Sequence, residues 1–223
     1  MHAFDIKLIK TKKMRIVFQI LLVIAAIVLA YFIYKGIERP IDFEQAKEER
    51  YDATIERLKN IRKAQIAYKE VYGQFTGSWD TLINFVANDS VRNVRKVGEI
   101  TDSMIEAGLT ERKALQEGLI IRDTIRESVV EAIFNNQIEP DELQYIPAPN
   151  TDAKFQLGST VITTGSGIKV PVFEAKAHNN IVLNGLDRQY VINLNEQRRL
   201  NEKYPGLKVG SLVEAVNNAG NWE

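Results

Sequence analysis

Residues 16–34 read IVFQILLVIAAIVLAYFIY, nineteen residues interrupted only by Gln19 and free of charge, proline and glycine. As a helix rising roughly 1.5 Å per residue this run is about 28 Å long, which matches a hydrocarbon core of about 30 Å. A buried core helix would carry a polar stripe on one side, and this stretch has none. The run therefore predicts a membrane span. Five basic residues (Lys7, Lys10, Lys12, Lys13 and Arg15) stand ahead of it against the single acid Asp5, while only Lys35 and Arg39 follow closely behind. Basic residues stay in the cytoplasm, so the expected orientation is N-terminus inside and bulk outside. Tyr31, Phe32 and Tyr34 fall where aromatic residues meet the outer headgroups. The expected organisation is a basic cytoplasmic tail (1–15), an anchor (16–39), a stalk helix (42–72) and an extracytoplasmic domain (73–223). It places the chain in a bacterial inner membrane.

Cleavage by signal peptidase after Ala30 competes with this reading, because Val28 and Ala30 occupy acceptable positions for the enzyme. The apolar run, however, is longer than the 7–15 residues usual in a signal peptide. Ala26 and Ala30 form a small-xxx-small pair through which two such helices could associate.

Composition narrows the remaining possibilities. The 223 residues carry 29 basic and 29 acidic side chains, which excludes both a strongly basic nucleic-acid binder and a disordered polyelectrolyte. Cysteine is absent, so disulfides, thiolate metal sites and cysteine nucleophiles are excluded. His2 and His178 are the only imidazoles and lie far apart, so no metal or other cofactor is expected.

After the anchor, Pro40 is expected to break the helix and Asp42, with Gln45 three residues on, to cap a new one. No proline or glycine follows until Gly73, which accepts the positive φ of a helix end. The charge-dense part from Glu44 to Arg57 is expected to be solvated. Leu58, Ile61, Gln65, Tyr68 and Tyr72, spaced by three and four, are expected to bury one face.

From Ile61 to Phe85 the chain reads IRKAQIAYKEVYGQFTGSWDTLINF. A helix ending in tyrosine, then Gly73, the aromatic Phe75, a small polar turn, and a short helix with Leu82 and Phe85 resembles type II secretion pseudopilins and type IV pilins. The likeness falls where their long first helix passes into its connecting loop. It implies a membrane-rooted assembly subunit whose helix lies against a small antiparallel sheet. The prepilin peptidase site of those families, a glycine followed by phenylalanine and then glutamate, has no counterpart between Lys13 and Phe18. On the pilin-like arrangement Leu58, Ile61, Tyr68 and Tyr72 bury against the late strands, with Phe75 and Trp79 closing the end of that contact.

Beyond Phe85 the elements shorten. Thr101 or Asp102 can cap a helix to Ala107, and Thr110 another that ends at Gly118. Leu119 to Ile125 suggests a buried strand, Ser128 to Phe134 a helical turn, and Pro140, Pro147 and Pro149 an extended connector. The mixed charges from Arg112 to Arg126 suggest a helix surface. Phe155 to Thr164 and Ile168 to Ala177 flank Gly165-Ser166-Gly167 as a hairpin, with Pro171 requiring an edge or an outward-facing position. Leu186 to Leu194 suggests a third strand, Glu196 to Lys203 a helix, Pro205-Gly206 a turn, and Val209 to Val216 a short helix or strand. The expected fold class is α+β, with helices first and an antiparallel sheet at the C-terminal end.

Chemistry-bearing residues are sparse. Ser166 with His178 as its base lacks the surroundings of a nucleophile elbow. Asp141 with Glu142, and Asp187 beside Arg188, are acid/base candidates without an apolar setting. His178, beside Asn179 and Asn180, reads as a solvent-exposed loop residue. Trp222, one residue from Glu223, either docks on the fold or meets a partner. The expected function is a non-enzymatic scaffold or interaction subunit of an envelope complex, contacting the membrane and other envelope proteins but no nucleic acid. The alternative is a membrane-tethered envelope enzyme.

Overall fold

The structure, a computed structural model, describes residues 2–98, 101, 104 and 108–223. Its first element, α1, is one continuous helix, His2–Tyr72. The chain does not break at Pro40, and Asp42 is a helix-interior residue and not a cap. A proline ring removes one N–H and crowds the carbonyl four residues back, which here belongs to Gly36. The helix ends at Gly73, whose φ is +76° and whose N–H donates to the Lys69 carbonyl at 2.8 Å.

Along α1 the side chains change character sharply. From Met14 to Tyr34 the large apolar residues are exposed, Phe18 at 65% and Leu29 at 62%, and this is one helix long and apolar enough to cross a membrane. From Phe43 onward the helix buries a stripe: Thr54, Leu58, Ile61, Gln65 and Tyr68, spaced four, three, four and three, lie on one face with Ala64 and Ala67 beside it. The expected solvation of Glu44 to Arg57 therefore holds only for the outer side. Phe43 and Thr54 are buried, and Arg50 donates from Nη1 to the Asn184 carbonyl at 2.6 Å.

Next come α2 (Trp79–Asn88), β1 (Ser90–Val97), α3 (Glu111–Gln116), β2 (Ile121–Ser128), α4 (Val129–Phe134) and a 3-10 helix (Pro140–Gln144). Two side chains start helices as acceptors: Ser78 receives the Thr81 N–H and Ser128 the Glu131 N–H. β1 and β2 form a two-stranded antiparallel ribbon pairing Ser90 with Ser128 through to Val97 with Ile121. The charged run Arg112 to Arg126 is thus split between α3 and β2 and is not a single helix surface. Pro140 opens a 3-10 turn instead of an extended connector, since proline is suited to the first helical position. The expected helix from Thr101 or Asp102 to Ala107 lies outside the described residues.

The C-terminal part holds β3 (Gln156–Thr163), β4 (Lys169–His178), α5 (Asn179–Val182), α6 (Arg188–Leu200) and β5 (Gly206–Gly210). The sheet order is β3-β4-β5, antiparallel throughout. The strand expected from Leu186 to Leu194 is instead the start of α6. Asp187 accepts the Gln189 N–H as its cap, and Val191 and Asn195, four apart, are the buried residues. The third strand is β5, which begins at Gly206 where a turn was expected. Pro171 sits in the central strand, yet β5 pairs only with Glu174 to His178, so its missing donor faces no neighbour.

The chain is α+β, and its core lies between α1 and the sheet. Phe173, Ala175 and Ala177 of β4 alternate onto the inner face with Leu207 and Val209 of β5, and α1 packs against both strands. Alanines on the helix and on the central strand let the two approach closely. Gly210, with φ +73°, is required: a Cβ there would stand 2.1 Å from the Phe173 carbonyl oxygen. Leu82, Phe85 and Val86 of α2 extend the same core toward α4.

Candidate functional site

The residues expected to pack or interact fall into two groups. Leu58 and Ile61 are fully buried, Tyr68 and Phe75 nearly so. Phe75 lies against Phe173 of β4, ring centres 4.9 Å apart, and the Lys69 ammonium stands 4.9 Å from the centre of the Phe75 ring. The indole N–H of Trp79 donates to the Phe155 carbonyl at 3.0 Å. Tyr68 meets Phe85 edge to face, so its ring packs on α2.

Tyr72 departs from the expectation. It is 51% exposed, and its hydroxyl donates to Asp89 Oδ2 at 2.6 Å. The next step of four along the stripe brings it beside Asp89, at the foot of the β1–β2 ribbon. That carboxylate, together with burial, pushes the Tyr72 hydroxyl pKa up.

Trp222 docks on the fold. It packs against the core beside Gly220, which bridges to Val209 of β5, and Glu223 pairs with Arg62 of α1 at 2.7 Å. The guanidinium holds the Glu223 carboxyl below its ordinary range. The chain's last residues are thus fastened to α1.

A polar cluster that sequence reasoning missed joins α1 to the end of β4. The Tyr51 hydroxyl donates to Asn179 Oδ1 at 2.6 Å, Asn179 Nδ2 to Asn195 Oδ1 at 2.8 Å, and Asn195 Nδ2 to Asn180 Oδ1 at 2.8 Å. Asn179 is wholly buried and Asn195 nearly so. Burial raises the Tyr51 pKa, against the opposing influence of the Arg198 guanidinium, which lies 5.7 Å from the ring. Arg198 also donates to the Gly206 carbonyl at 2.9 Å. The Asp187 cap was the available signal, since it would have turned Asn195 and Arg198 inward on a helix.

His178 is not a loop residue. It ends β4 and caps α5, its Nδ1 accepting the Asn180 N–H at 3.1 Å, with the Tyr204 ring at 6.2 Å. Burial, then the Arg199 charge, lowers its pKa. Ser166 lies in the hairpin loop at the opposite end of β4, ten residues of strand or roughly 30 Å away, so the two are not brought together. Asp187 is engaged as a cap, and Glu142 pairs with Arg57 at 3.3 Å. Among the described residues no group of three or more His, Asp or Glu could hold a metal ion.

What the arrangement can do is hold surfaces in place. The β1–β2 ribbon leaves the body beside the end of α1. There Glu70, Val71, Tyr72, Asp89, Ser90, Val91, Arg92 and Arg126 line a groove of about 510 Å³. A second groove, about 350 Å³, lies between α1 and the 3-10 helix, with Glu56, Arg57, Glu139 and Glu142 in its walls. No family model, curated protein or solved structure matches the chain.

Proposed function

We propose that the chain is a single-pass membrane protein whose basic residues 1–15 remain in the cytoplasm and whose later part is an extracytoplasmic scaffold or interaction subunit of a bacterial envelope complex. One observation carries this reading: the exposed apolar sleeve from Met14 to Tyr34 runs without interruption into a helix that is packed from Phe43 onward. Among the described residues nothing covers that sleeve, and a bilayer is the solvent in which its exposure costs nothing. The charge difference across it supports the inward N-terminus. A pilin-like subunit is the narrower form, supported by α1 lying against an antiparallel sheet and by the Gly73 to Phe75 turn. Ala26 and Ala30, four apart on the sleeve, offer a face for self-association.

A reporter enzyme that works only outside the cytoplasm, fused after Glu223, is expected to be active. Activity of a cytoplasm-only reporter at that position would reject the topology. Intact mass separates a retained anchor from cleavage after Ala30, which would leave Tyr31 as the first residue.

A further inference from the structure

We infer that the β1–β2 ribbon is a docking edge for an acidic extended segment of a partner protein, which adds to it as a third strand. The ladder register sets Arg92 directly opposite Arg126 and Lys96 directly opposite Arg122. Strand alternation places these four positions on one face, with only Val94 and Thr124 between them. Like charges directly opposite one another destabilise a ladder. The same register sets position 95, an arginine, opposite position 123, an aspartate, on the other face. Arg92 and Arg126 are exposed, and neither makes an ion pair among the described residues.

The backbone supplies the second half of the argument. Among the described residues the sheet has two strands, so each is paired on one side only, over eight consecutive register positions that contain no proline. A two-stranded ribbon is marginal by itself, and a third strand would satisfy one outer edge. Cations along such an edge repel a second copy, whose ribbon is equally basic, and select an acidic strand. Glu70 and Asp89 line the groove at the ribbon's foot, so an acidic segment runs outward from there.

The anchoring membrane is out of reach. From Tyr34 to Tyr72 the helix extends roughly 55 Å, while eight strand residues folded straight back cover only about 27 Å. The inference deepens the interaction-subunit reading and rests on it for biological context. The binding test itself does not depend on topology, and the reporter fusion tests that reading separately.

The test uses the full chain in non-ionic detergent and an eight-residue peptide alternating threonine and glutamate. Saturable binding is expected. It should weaken at least tenfold when alternate peptide nitrogens are methylated, and at least tenfold in Arg92→Glu/Arg126→Glu with an unchanged melting temperature. If that variant does not fold, Arg92→Gln/Arg126→Gln carries the comparison. Absence of peptide binding would overturn the proposal, as would equal binding of the methylated peptide, which would mean that any polyanion suffices. Equally strong binding to phosphatidylglycerol vesicles would assign the face to lipid and overturn it too.

Discussion

The side chain of Gln65 exchanges two hydrogen bonds with the backbone of Thr76: Nε2 donates to the Thr76 carbonyl at 2.7 Å, and Oε1 accepts the Thr76 N–H at 3.1 Å. Both residues are buried, so this pair fastens the loop after α1 back onto the helix. Gln65→Ala leaves a buried donor and acceptor without partners. An unsatisfied buried group costs about 1–3 kcal/mol. The variant is expected to unfold at distinctly lower urea concentration, followed by the fluorescence of Trp79 and Trp222. Unchanged unfolding would show that water replaces the amide.

Ile61 is fully buried on the face of α1 that meets the sheet, whereas Glu48 is exposed. Truncating a buried isoleucine to alanine costs about 2–5 kcal/mol. Ile61→Ala is expected to lower the melting temperature markedly and Glu48→Ala to leave it nearly unchanged. Equal melting of the two variants would mean that the helix does not rely on the sheet.

The long apolar helix, the end of α1 at Gly73, the Ser128 helix start and the hairpin around Gly165 to Gly167 were legible because each depends on a local signal. Those signals are an unbroken apolar run, a glycine with positive φ, a capping serine and a short loop between β-branched stretches. The region from Leu186 to Leu194 was misread for a physical reason. Its apolar residues fit alternation, and the residues that decide for a helix are polar ones, Asp187 as cap and Asn195 buried in an amide network, which a reading by hydrophobicity counts as surface. β5 was expected too late, within Val209 to Val216 as a short helix or strand, because five residues that begin and end with glycine give little periodic signal. Pro40 suggested a break, but the helix continues through it.

Tyr51→Phe removes the donor to Asn179 Oδ1 while keeping the ring. With Asn179 wholly buried, the orphaned oxygen is expected to cost about 1–3 kcal/mol. The raised Tyr51 pKa adds a pH signature. An acid whose pKa is raised by folding stabilises the protein fully below its unfolded value of about 10 and less as the pH climbs through the folded one. The wild type should therefore lose more stability than Tyr51→Phe above pH about 10. Parallel losses in the two proteins would assign the alkaline effect elsewhere.

His178 behaves in the opposite sense. Its pKa is lowered by folding, so the unfolded chain binds the proton more readily, and stability falls as the pH drops below the unfolded value of about 6.5. Asparagine also caps helices well and does not titrate. His178→Asn is expected to match the wild type at pH about 8 and to show a shallower loss of stability toward pH about 5. Identical acid slopes in the two proteins would remove His178 as the cause.

Because one helix carries both the Ala26 and Ala30 positions and the Phe43 ring that stacks on Tyr190 at 5.1 Å, the packed part has a fixed compass bearing relative to the apolar stretch of α1. Each residue of an α-helix turns the chain by about 100°. A single alanine inserted between Ile37 and Ile41 would swing the packed part about a quarter of a circle around the axis of α1 while shifting it only about 1.5 Å along that axis. Four inserted residues would bring it back to within about 40° of its first heading. Any neighbour that grips both the apolar stretch and the packed part of this protein must therefore respect its azimuth as well as its distance along the helix.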